Sequence, residues 1–309
     1  MTQNSDPGTH NTPEPPVAVI ILVCGTAEAA IQLFENVLAG ESNVLIVAHV
    51  SKPFRKERLK ILAWARKAGA SVIVNEKCLY TRHGFIAHAI VDTVGYALAN
   101  SKAQRFLLLP FNCVKLVSGF GEEARRGPFR HNAVPLAYGR TDFTIRCFRR
   151  ALSGRRALYR RFGSGRICKG QHEGVVFDRD VARTLAAVKL PQSQLFYDLT
   201  FLISRSTRKA IFLFPYAYEE LLVPTAVAMS ASEDGGSPGN KPLCFLDWAR
   251  KTAPPSYEEL PWVEVPGEAF FYKWVSIDSE NENRRSLFQA LPLARRPRLT
   301  GKSGGIDGT

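Results

Sequence analysis

The chain has 309 residues, of which 45% are hydrophobic and 22% are charged. This length suits one large domain or two ordinary ones, and the composition is that of a globular protein. It excludes a mostly disordered chain, a collagen and a coiled coil, and no apolar run approaches the roughly 20 residues that a membrane helix needs.

The two ends of the chain differ from the rest in composition. Residues 1–16 lack apolar content and residues 292–309 are rich in Arg, Pro, Gly and Ser, so both are predicted to be disordered tails. No basic region precedes the first apolar run, Val17–Cys24, and the six cysteines are widely spread without a CxxC pair. These features predict no signal peptide, reduced thiols and a cytoplasmic location.

Positive charge is concentrated in one segment. The chain carries 41 Lys and Arg against 28 Asp and Glu, a net charge of +13. The segment Arg125–Lys169, called the basic belt below, holds 13 basic residues and one acid, Asp142. Such a belt attracts the phosphates of a nucleotide, a nucleic acid, an anionic polymer or an anionic membrane surface. The alternative is a solvated face without a ligand.

The first hundred residues alternate between apolar strands and amphipathic helices. The predicted strands are Val17–Cys24, Asn43–Val50, Ser71–Asn75 and Arg105–Leu109, and the predicted helices are Ala27–Ala39, Phe54–Ala68 and Phe85–Ala99. Thr26 is expected to cap the first helix, and Leu59, Leu62 and Ala63 are expected to face inward on the second. The pattern predicts an α/β fold with a mostly parallel sheet covered on both faces, with ligands at the carboxyl ends of its strands.

The remainder of the chain is less regular. We predict helices at Thr141–Leu152, Val181–Val188, Leu195–Ile203, Tyr218–Met229 and Ser286–Leu291, and strands at Ala210–Phe214, Leu243–Trp248 and Ala269–Trp274. Residues 163–174 form a glycine-rich loop, and residues 230–241 (SASEDGGSPGNK) form a flexible insertion.

Several familiar motifs are absent. The first strand ends in Cys24–Ala29 with one glycine rather than GxGxxG, and the chain has no GxxxxGK[ST], GxSxG or HExxH. Asp178-Arg179-Asp180 is a DxD, which holds a divalent metal in many nucleotide-sugar enzymes. Because a helix is predicted directly after it, Asp178 is better explained as an N-cap, and we predict no metal site.

Three positions offer chemistry and each has a structural alternative. His49 ends the second strand and Lys52 follows it, so the two side chains could face a phosphate ligand or simply pack. Glu219 and Glu220 follow a buried strand, where a general base is well placed, although carboxylates also favour helix starts. Lys273 lies within an aromatic run. It is either a ligand for an anion or an edge residue whose charged end reaches water.

Taken in order, these segments resemble the core-2/I-branching N-acetylglucosaminyltransferase and xylosyltransferase family (glycosyltransferase family 14). Val17–Val23 is similar to its first strand, and His49–Lys52 to its His-Val-Asp-Lys stretch. Arg82–Phe85 stands where the family has Arg-x-x-Trp-Gly-Gly, and Lys169–His172 where it has Gly-Ser-x-Trp/Tyr. The resemblance covers roughly residues 17 to 291.

The last hundred residues carry the strongest part of this resemblance. Glu219–Thr225 keeps the spacing of the family's Asp-Glu-x-x-x-x-Thr, whose Glu is the catalytic base. Phe245–Trp248 is similar to a strand ending in Trp, and Phe270–Lys273 is similar to Phe-x-x-Lys, whose Lys binds the donor diphosphate.

The resemblance implies one GT-A-like domain over residues 17–291, with a nucleotide-binding half at 17–110 and an acceptor and catalytic half at 111–291. It implies an inverting, metal-independent transfer of a GlcNAc-like or xylose-like sugar from a UDP-sugar to a glycan or glycolipid hydroxyl in surface polysaccharide synthesis, with no cofactor beyond the donor. The implied roles are catalytic for Glu220, donor-binding for Lys273, His49, Lys52 and Arg82, and acceptor-binding for Gly170, Gln171, Glu219 and Trp248.

Departures from the family pattern keep other functions open. Ser51 replaces Asp, His83 replaces Trp, and Asn112 falls where the family has a Ser-Gly-x-Asp loop. These substitutions suit a protein of the same fold that binds a glycan or nucleotide sugar without turnover. Nucleic-acid binding by the basic belt is a further alternative, but no nucleic-acid partner is expected because no recognition motif is present. The belt could also seat the protein on the inner face of a membrane.

Overall fold

The structure is a computed structural model that describes residues 14–81, 85–127, 129–135, 158–163, 166–190, 218–233, 241–246 and 269–273. Its first half alternates as predicted. The elements are β1 (Val17–Val23), α1 (Ala27–Leu38), β2 (Val44–Val50), a 3₁₀ turn (Lys52–Phe54), α2 (Glu57–Ala68), β3 (Val72–Val74), α3 (Ile86–Asn100) and β4 (Arg105–Leu109).

The second half contains shorter elements. They are β5 (Cys113–Lys115), α4 (Phe120–Arg126), β6 (Val134–Pro135), β7 (Cys168–Lys169), β8 (Val176–Asp178), α5 (Arg179–Ala186), α6 (Glu219–Glu233), β9 (Cys244–Phe245) and β10 (Phe271–Lys273). Residues 230–233 of the predicted flexible insertion 230–241 are therefore the last residues of α6.

The central sheet has five strands in the order β3-β2-β1-β4-β8. The strands β3, β2, β1 and β4 are parallel, and β8 joins the edge antiparallel to β4. Smaller sheets have the orders β5-β10-β9 and β6-β7. The predicted α/β fold with a mostly parallel central sheet is confirmed.

Both faces of the sheet are buried. Alternate residues of β1 enter different hydrophobic clusters, Val19 and Ile21 in the one with α1 and Ala18 and Ile20 in the one with α3, α5 and α6. Because period-two side chains meet apolar helices on both sides, β1 is apolar throughout rather than alternating with polar residues.

Side-chain caps fix two helix starts as the sequence predicted. The Thr26 hydroxyl accepts the Ala29 N–H at 3.3 Å at the start of α1. The Asp178 carboxylate accepts the N–H groups of Asp180 and Val181 at 3.1 and 2.9 Å, so it is the N-cap of α5. Each cap satisfies backbone donors that the first helical turn leaves without intrahelical partners.

The inward face predicted for α2 is correct at Leu62, which is partly buried against the core, and wrong at Leu59 and Ala63. Leu59 is 70% exposed and Ala63 is exposed, whereas Ile61 and Ala65 are buried. The helix begins at Glu57, after the 3₁₀ turn, rather than at Phe54. The Glu57 carboxylate accepts the Ala27 N–H at 3.2 Å, and this contact with α1 fixes the rotation of α2.

Other predictions fall outside the described residues. These are the two tails apart from residues 14–16, the helices at Thr141–Leu152, Leu195–Ile203 and Ser286–Leu291, the strand at Ala210–Phe214, and most of the basic belt. Among the helices that the structure describes, none has both the length and the apolar character to span a membrane. The domain limits stay a prediction.

Candidate functional site

The carboxyl end of β2 contains a fully buried histidine. His49 has no exposed surface, and its Nε2 accepts the Leu79 N–H at 3.0 Å. Its Nδ1 is buried and has no hydrogen-bond partner among the described residues. Burial lowers the pKa of His49 to about 4, despite the backbone hydrogen bond, so the ring is neutral at pH 7. Its observed contact fixes the segment around Leu79, and its donor-binding role stays a prediction.

Lys52 follows the same strand and lies beside an aromatic ring. Its Nζ lies 5.0 Å from the centre of the Tyr80 ring, and its backbone N–H donates to the Leu79 carbonyl at 2.9 Å. Thr81 donates a hydrogen bond to the buried Ser51 hydroxyl at 2.9 Å. Thus Ser51 holds Thr81 in place, and Arg82 lies outside the described residues.

A second group of predicted residues meets near the carboxyl end of β4. The segment 170–174, called the site loop below, joins β7 to β8. Gly174 donates its N–H to the Leu108 carbonyl at 2.6 Å and accepts the Leu243 N–H at 2.8 Å. A Cβ at Gly174, which has a φ of +75°, would lie 2.2 Å from the Cys244 nitrogen. The close approach and the positive φ both require glycine here.

Two further residues fix the site loop against its neighbours. The Gln171 side-chain amide donates to the Glu173 and Cys244 carbonyls at 2.5 and 2.8 Å. Gly170 donates its N–H to the Glu220 carbonyl at 2.9 Å, and a Cβ at Gly170 would lie 2.9 Å from the Asn132 side-chain oxygen. Gly170 and Gln171, both predicted to bind acceptor, thus connect the loop to α6 and β9.

The start of α6 brings two carboxyl groups to this loop. Glu219 is buried and Glu220 is partly exposed. One turn further on, the buried Thr225 hydroxyl accepts the Cys168 N–H at 2.9 Å and donates to the Cys168 carbonyl at 3.2 Å. The threonine of the Glu219–Thr225 motif therefore holds α6 against β7 and fixes where the two glutamates lie.

The end of β10 completes the cluster. Lys273 Nζ forms an ion pair with Glu173, and the other Glu173 oxygen lies 3.3 Å from His172 Nδ1. Both members of the ion pair are about nine-tenths buried. Burial alone would raise the pKa of Glu173, but His172 and Lys273 outweigh it and hold that pKa below its usual range. Burial lowers the pKa of His172. Glu173 is therefore ionised and His172 is neutral at pH 7.

Glu219 has the opposite charge state from Glu173. Burial raises the pKa of Glu219 to about 8, with smaller contributions from the charges of Glu220 and Glu173 and an opposing one from Lys273. Its Oε2 is buried and has no hydrogen-bond partner among the described residues. The side chain is therefore a neutral acid at pH 7, able to donate or accept one hydrogen bond to a ligand.

The structure thus divides the predicted site residues into three sets. Gly170, Gln171, Glu219, Glu220 and Lys273 share one cluster at the carboxyl end of β4. His49 and Lys52 lie at the carboxyl end of β2. Both groups lie at the carboxyl-end edge of the sheet. Because β1 separates β2 from β4, these two strands are roughly 10 Å apart. Arg82 and Trp248 lie outside the described residues.

Sequence reasoning missed His172 and Glu173. They lie between Gly170 and Gly174, just before the buried Val175 and the first residue of β8, Val176. Charged residues that close to a core strand and between glycines are a signal of a buried polar site, because a solvated loop would not need that close approach.

The part of the chain that the structure describes contains no cluster of metal-binding side chains. No group of three or more His, Cys, Asp or Glu in these residues could hold a metal ion. In the DxD, Asp178 caps α5 and Asp180 pairs with Arg183 at 2.6 Å.

Comparison with known proteins gives structural likenesses only. No protein-family model and no curated protein matches the chain. The chain is similar to the apo form of the glycosyltransferase GlyE of Streptococcus pneumoniae TIGR4, with 12% identity and a TM-score of 0.39 over 91% of this chain and 61% of that one. A second GlyE structure has 11% identity and a TM-score of 0.37, again over 91% and 61%.

An active-site mutant of LgtC is similar at 8% identity and a TM-score of 0.39, over 89% of this chain and 94% of that one. This chain therefore spans about 61% of the length of GlyE. With so few shared residues, these likenesses do not indicate which side chains act in this chain.

Proposed function

We propose that this protein is an inverting, metal-independent glycosyltransferase that moves a GlcNAc-like or xylose-like sugar from a UDP-sugar to a hydroxyl of a glycan or glycolipid. The observation that carries the proposal is the cluster at the carboxyl end of β4. There Gln171, the Glu219–Glu220 pair and Lys273 come together from three distant segments of the chain, each of which resembles a different motif of one family.

Glu220 is the proposed base. Attack of a hydroxyl on the anomeric carbon releases a proton, and a carboxylate within hydrogen-bond reach accepts it as the bond forms. Glu220 is partly exposed and begins α6, whereas Glu219 is buried and neutral at pH 7. The exposed carboxylate is the better proton acceptor of the two, and the buried acid suits a hydrogen bond to an acceptor hydroxyl.

Lys273 is the proposed partner of the leaving group. As the bond to the sugar breaks, negative charge develops on UDP, and a fixed cation stabilises that charge more strongly in a buried site than in water. Lys273 is largely buried at the end of β10, which has strand partners on both sides. His49, Lys52 and Arg82 are proposed to lie toward the nucleotide.

The test is release of UDP from a panel of UDP-sugars in the presence of glycan acceptors, with and without EDTA. The proposal predicts release with at least one donor at a rate that EDTA does not change. Absence of release with every donor, from protein that is shown to be folded, would contradict it.

Binding without turnover is the second candidate. It is favoured by the Glu173 carboxylate, which pairs with Lys273, and by the departures at Ser51, His83 and Asn112. Calorimetric titration of the same UDP-sugars separates the two functions, because binding without sugar transfer would favour this candidate.

The basic belt is proposed to hold an anionic acceptor or an anionic membrane surface, where each Lys or Arg contributes about 1 kcal/mol. Sedimentation with vesicles containing phosphatidylserine tests the membrane role. We expect binding at low ionic strength that weakens as salt is added, and no binding at any ionic strength would exclude it.

A further inference from the structure

Two lysine–glutamate ion pairs of the described residues have both side chains largely buried. One joins Lys115 to Glu41 at 3.3 Å, and the other joins Lys273 to Glu173. A buried ion pair costs more to desolvate than an exposed one, so each is expected to have a structural or functional reason.

The Lys115–Glu41 pair has a structural reason. Lys115 Nζ donates to the Ala39 carbonyl and to the Val37 carbonyl at 3.2 Å, where α1 ends. Glu41 accepts the backbone N–H groups of Gly119 and Gly121 at 2.7 and 3.0 Å, where α4 begins. The cation and the anion therefore complement opposite helix ends.

The Lys273–Glu173 pair has different neighbours. Glu173 lies on the site loop, whose position is fixed by Gln171 and Gly174. Its second oxygen faces His172, and the buried Glu219 carboxyl interacts electrostatically with both members of the pair. Of these residues, Gln171 and Glu219 are assigned above to the acceptor and Lys273 to the leaving group. Glu219 keeps a buried oxygen without a hydrogen-bond partner among the described residues.

We propose that Glu173 is a positioning residue that holds the Lys273 ammonium group in the site and competes with the UDP diphosphate for it. The inference rests on the proposed function. Only interactions that are stronger in the transition state than in the ground state accelerate transfer. Because Glu173 partly neutralises Lys273, the lysine binds the diphosphate of the bound donor and of the UDP product less tightly. The ammonium group stays beside Glu173 throughout and is shared with the diphosphate only while UDP is bound.

The experiment compares Glu173→Gln with Glu41→Gln. Both variants remove one carboxylate from a buried lysine, so both are expected to lower the unfolding midpoint. They should differ in function. Glu173→Gln is expected to tighten UDP binding by about threefold or more, because a negative charge near the diphosphate is gone. It is also expected to lower kcat by about tenfold, because Lys273 is no longer held in place.

In Glu41→Gln, kcat and the Kd for UDP should stay within about twofold of the parent values, since this carboxylate contacts Lys115 and the start of α4. A merely structural role for Glu173 would weaken UDP binding and kcat together. That result, or no change in either quantity, would overturn the inference.

Glu173→Asp gives a second measurement that stands even if Glu173→Gln does not fold. It keeps the charge and withdraws it by one methylene, so kcat should fall while the Kd for UDP stays near the parent value. An unchanged kcat would overturn the inference.

A folded parent that binds no UDP would overturn the proposed function itself, whereas a parent that binds and transfers, with equal values in all variants, would overturn only the role of Glu173.

Discussion

Two buried side chains, His49 and Glu219, are neutral at pH 7 for the same physical reason. Burial disfavours the charged form of each, so it lowers the pKa of His49 to about 4 and raises the pKa of Glu219 to about 8. The two groups therefore charge at opposite ends of the pH range. Each gives the free energy of unfolding its own dependence on pH.

Glu219 should lower stability as pH rises. In the unfolded chain its carboxyl ionises near 4.5, and in the folded protein near 8, so the folded state holds the extra proton between these values. The free energy of unfolding then falls with rising pH in that window, by up to about 1.4 kcal/mol per pH unit. Glu219→Gln should remove this slope, so the variant gains stability relative to the parent from pH 5 to pH 8. The measurement is the free energy of unfolding in urea at several pH values. A difference between the two proteins that does not change with pH would contradict the assignment.

His49 should lower stability as pH falls. The unfolded side chain binds a proton near 6.5 and the folded one only near 4, so stability present above 6.5 is lost as pH falls through this window. Protonation would also remove the acceptor of the Leu79 N–H. We expect His49→Gln, whose amide oxygen can accept that N–H, to show a smaller loss between pH 6.5 and 4. Thermal unfolding of both proteins at several pH values measures this, and an equal loss would contradict it.

Single residues were predictable where a local rule governs them. Thr26 and Asp178 precede helices, and both cap them, because an N-cap depends only on the next three backbone N–H groups. Glu173 was not predictable in this way. Its partner Lys273 is 100 residues away in sequence, and only the folded chain brings the two together.

At the scale of the elements, the site loop is held by three neighbouring elements. It contacts β4 through Gly174, β9 through Gln171 and α6 through Gly170. These three contacts hold Glu173 beside Lys273, so a displaced loop should affect transfer as well as stability.

Gly174→Ala should test that constraint, with Gly69→Ala as its matched control. Both glycines have positive φ, +75° and +58°, but a Cβ at Gly69 meets nothing within 4 Å, whereas at Gly174 it meets the Cys244 backbone. We expect Gly69→Ala to cost about 1 kcal/mol, and Gly174→Ala about 3 kcal/mol or more together with a loss of kcat. The measurements are urea unfolding and UDP release, and equal costs would show that the loop does not approach β9 as described.

Elements were predictable from sequence in proportion to their length. The strands β1, β2 and β4 have five to seven residues and are apolar apart from His49 and Arg105, and their predicted bounds agree closely with the observed ones. The strands β5 and β8 were not predicted, because each has three residues and pairs with a single strand of its sheet, β10 or β4. The equally short β3 and β10 lie within longer segments that were predicted as strands. The face of α2 was wrong at Leu59 and Ala63 because the start of the helix depends on a 3₁₀ turn and a contact with α1.

At the scale of the whole molecule, the order of the sheet determines where the candidate site lies. The chain runs from β1 outward to β2 and β3 and then returns to β4 on the other side of β1. Such a reversal leaves a crevice at the carboxyl ends of the strands, where ligands bind in open α/β sheets. The alternation of strands and helices predicted this edge, but not that His172 and Glu173 reach it, since the site loop is too short to carry a pattern.

The proposed base gives the most direct test of the central claim, that a carboxylate at the start of α6 deprotonates the acceptor hydroxyl. The measurement is kcat for sugar transfer by the parent and by Glu220→Gln, with the Kd for UDP measured on the same preparations. The account predicts a loss of on the order of 10² to 10⁴ in kcat, because proton transfer to a positioned base contributes that much, with the Kd for UDP nearly unchanged. Equal rates of transfer by the folded variant and the parent would contradict it.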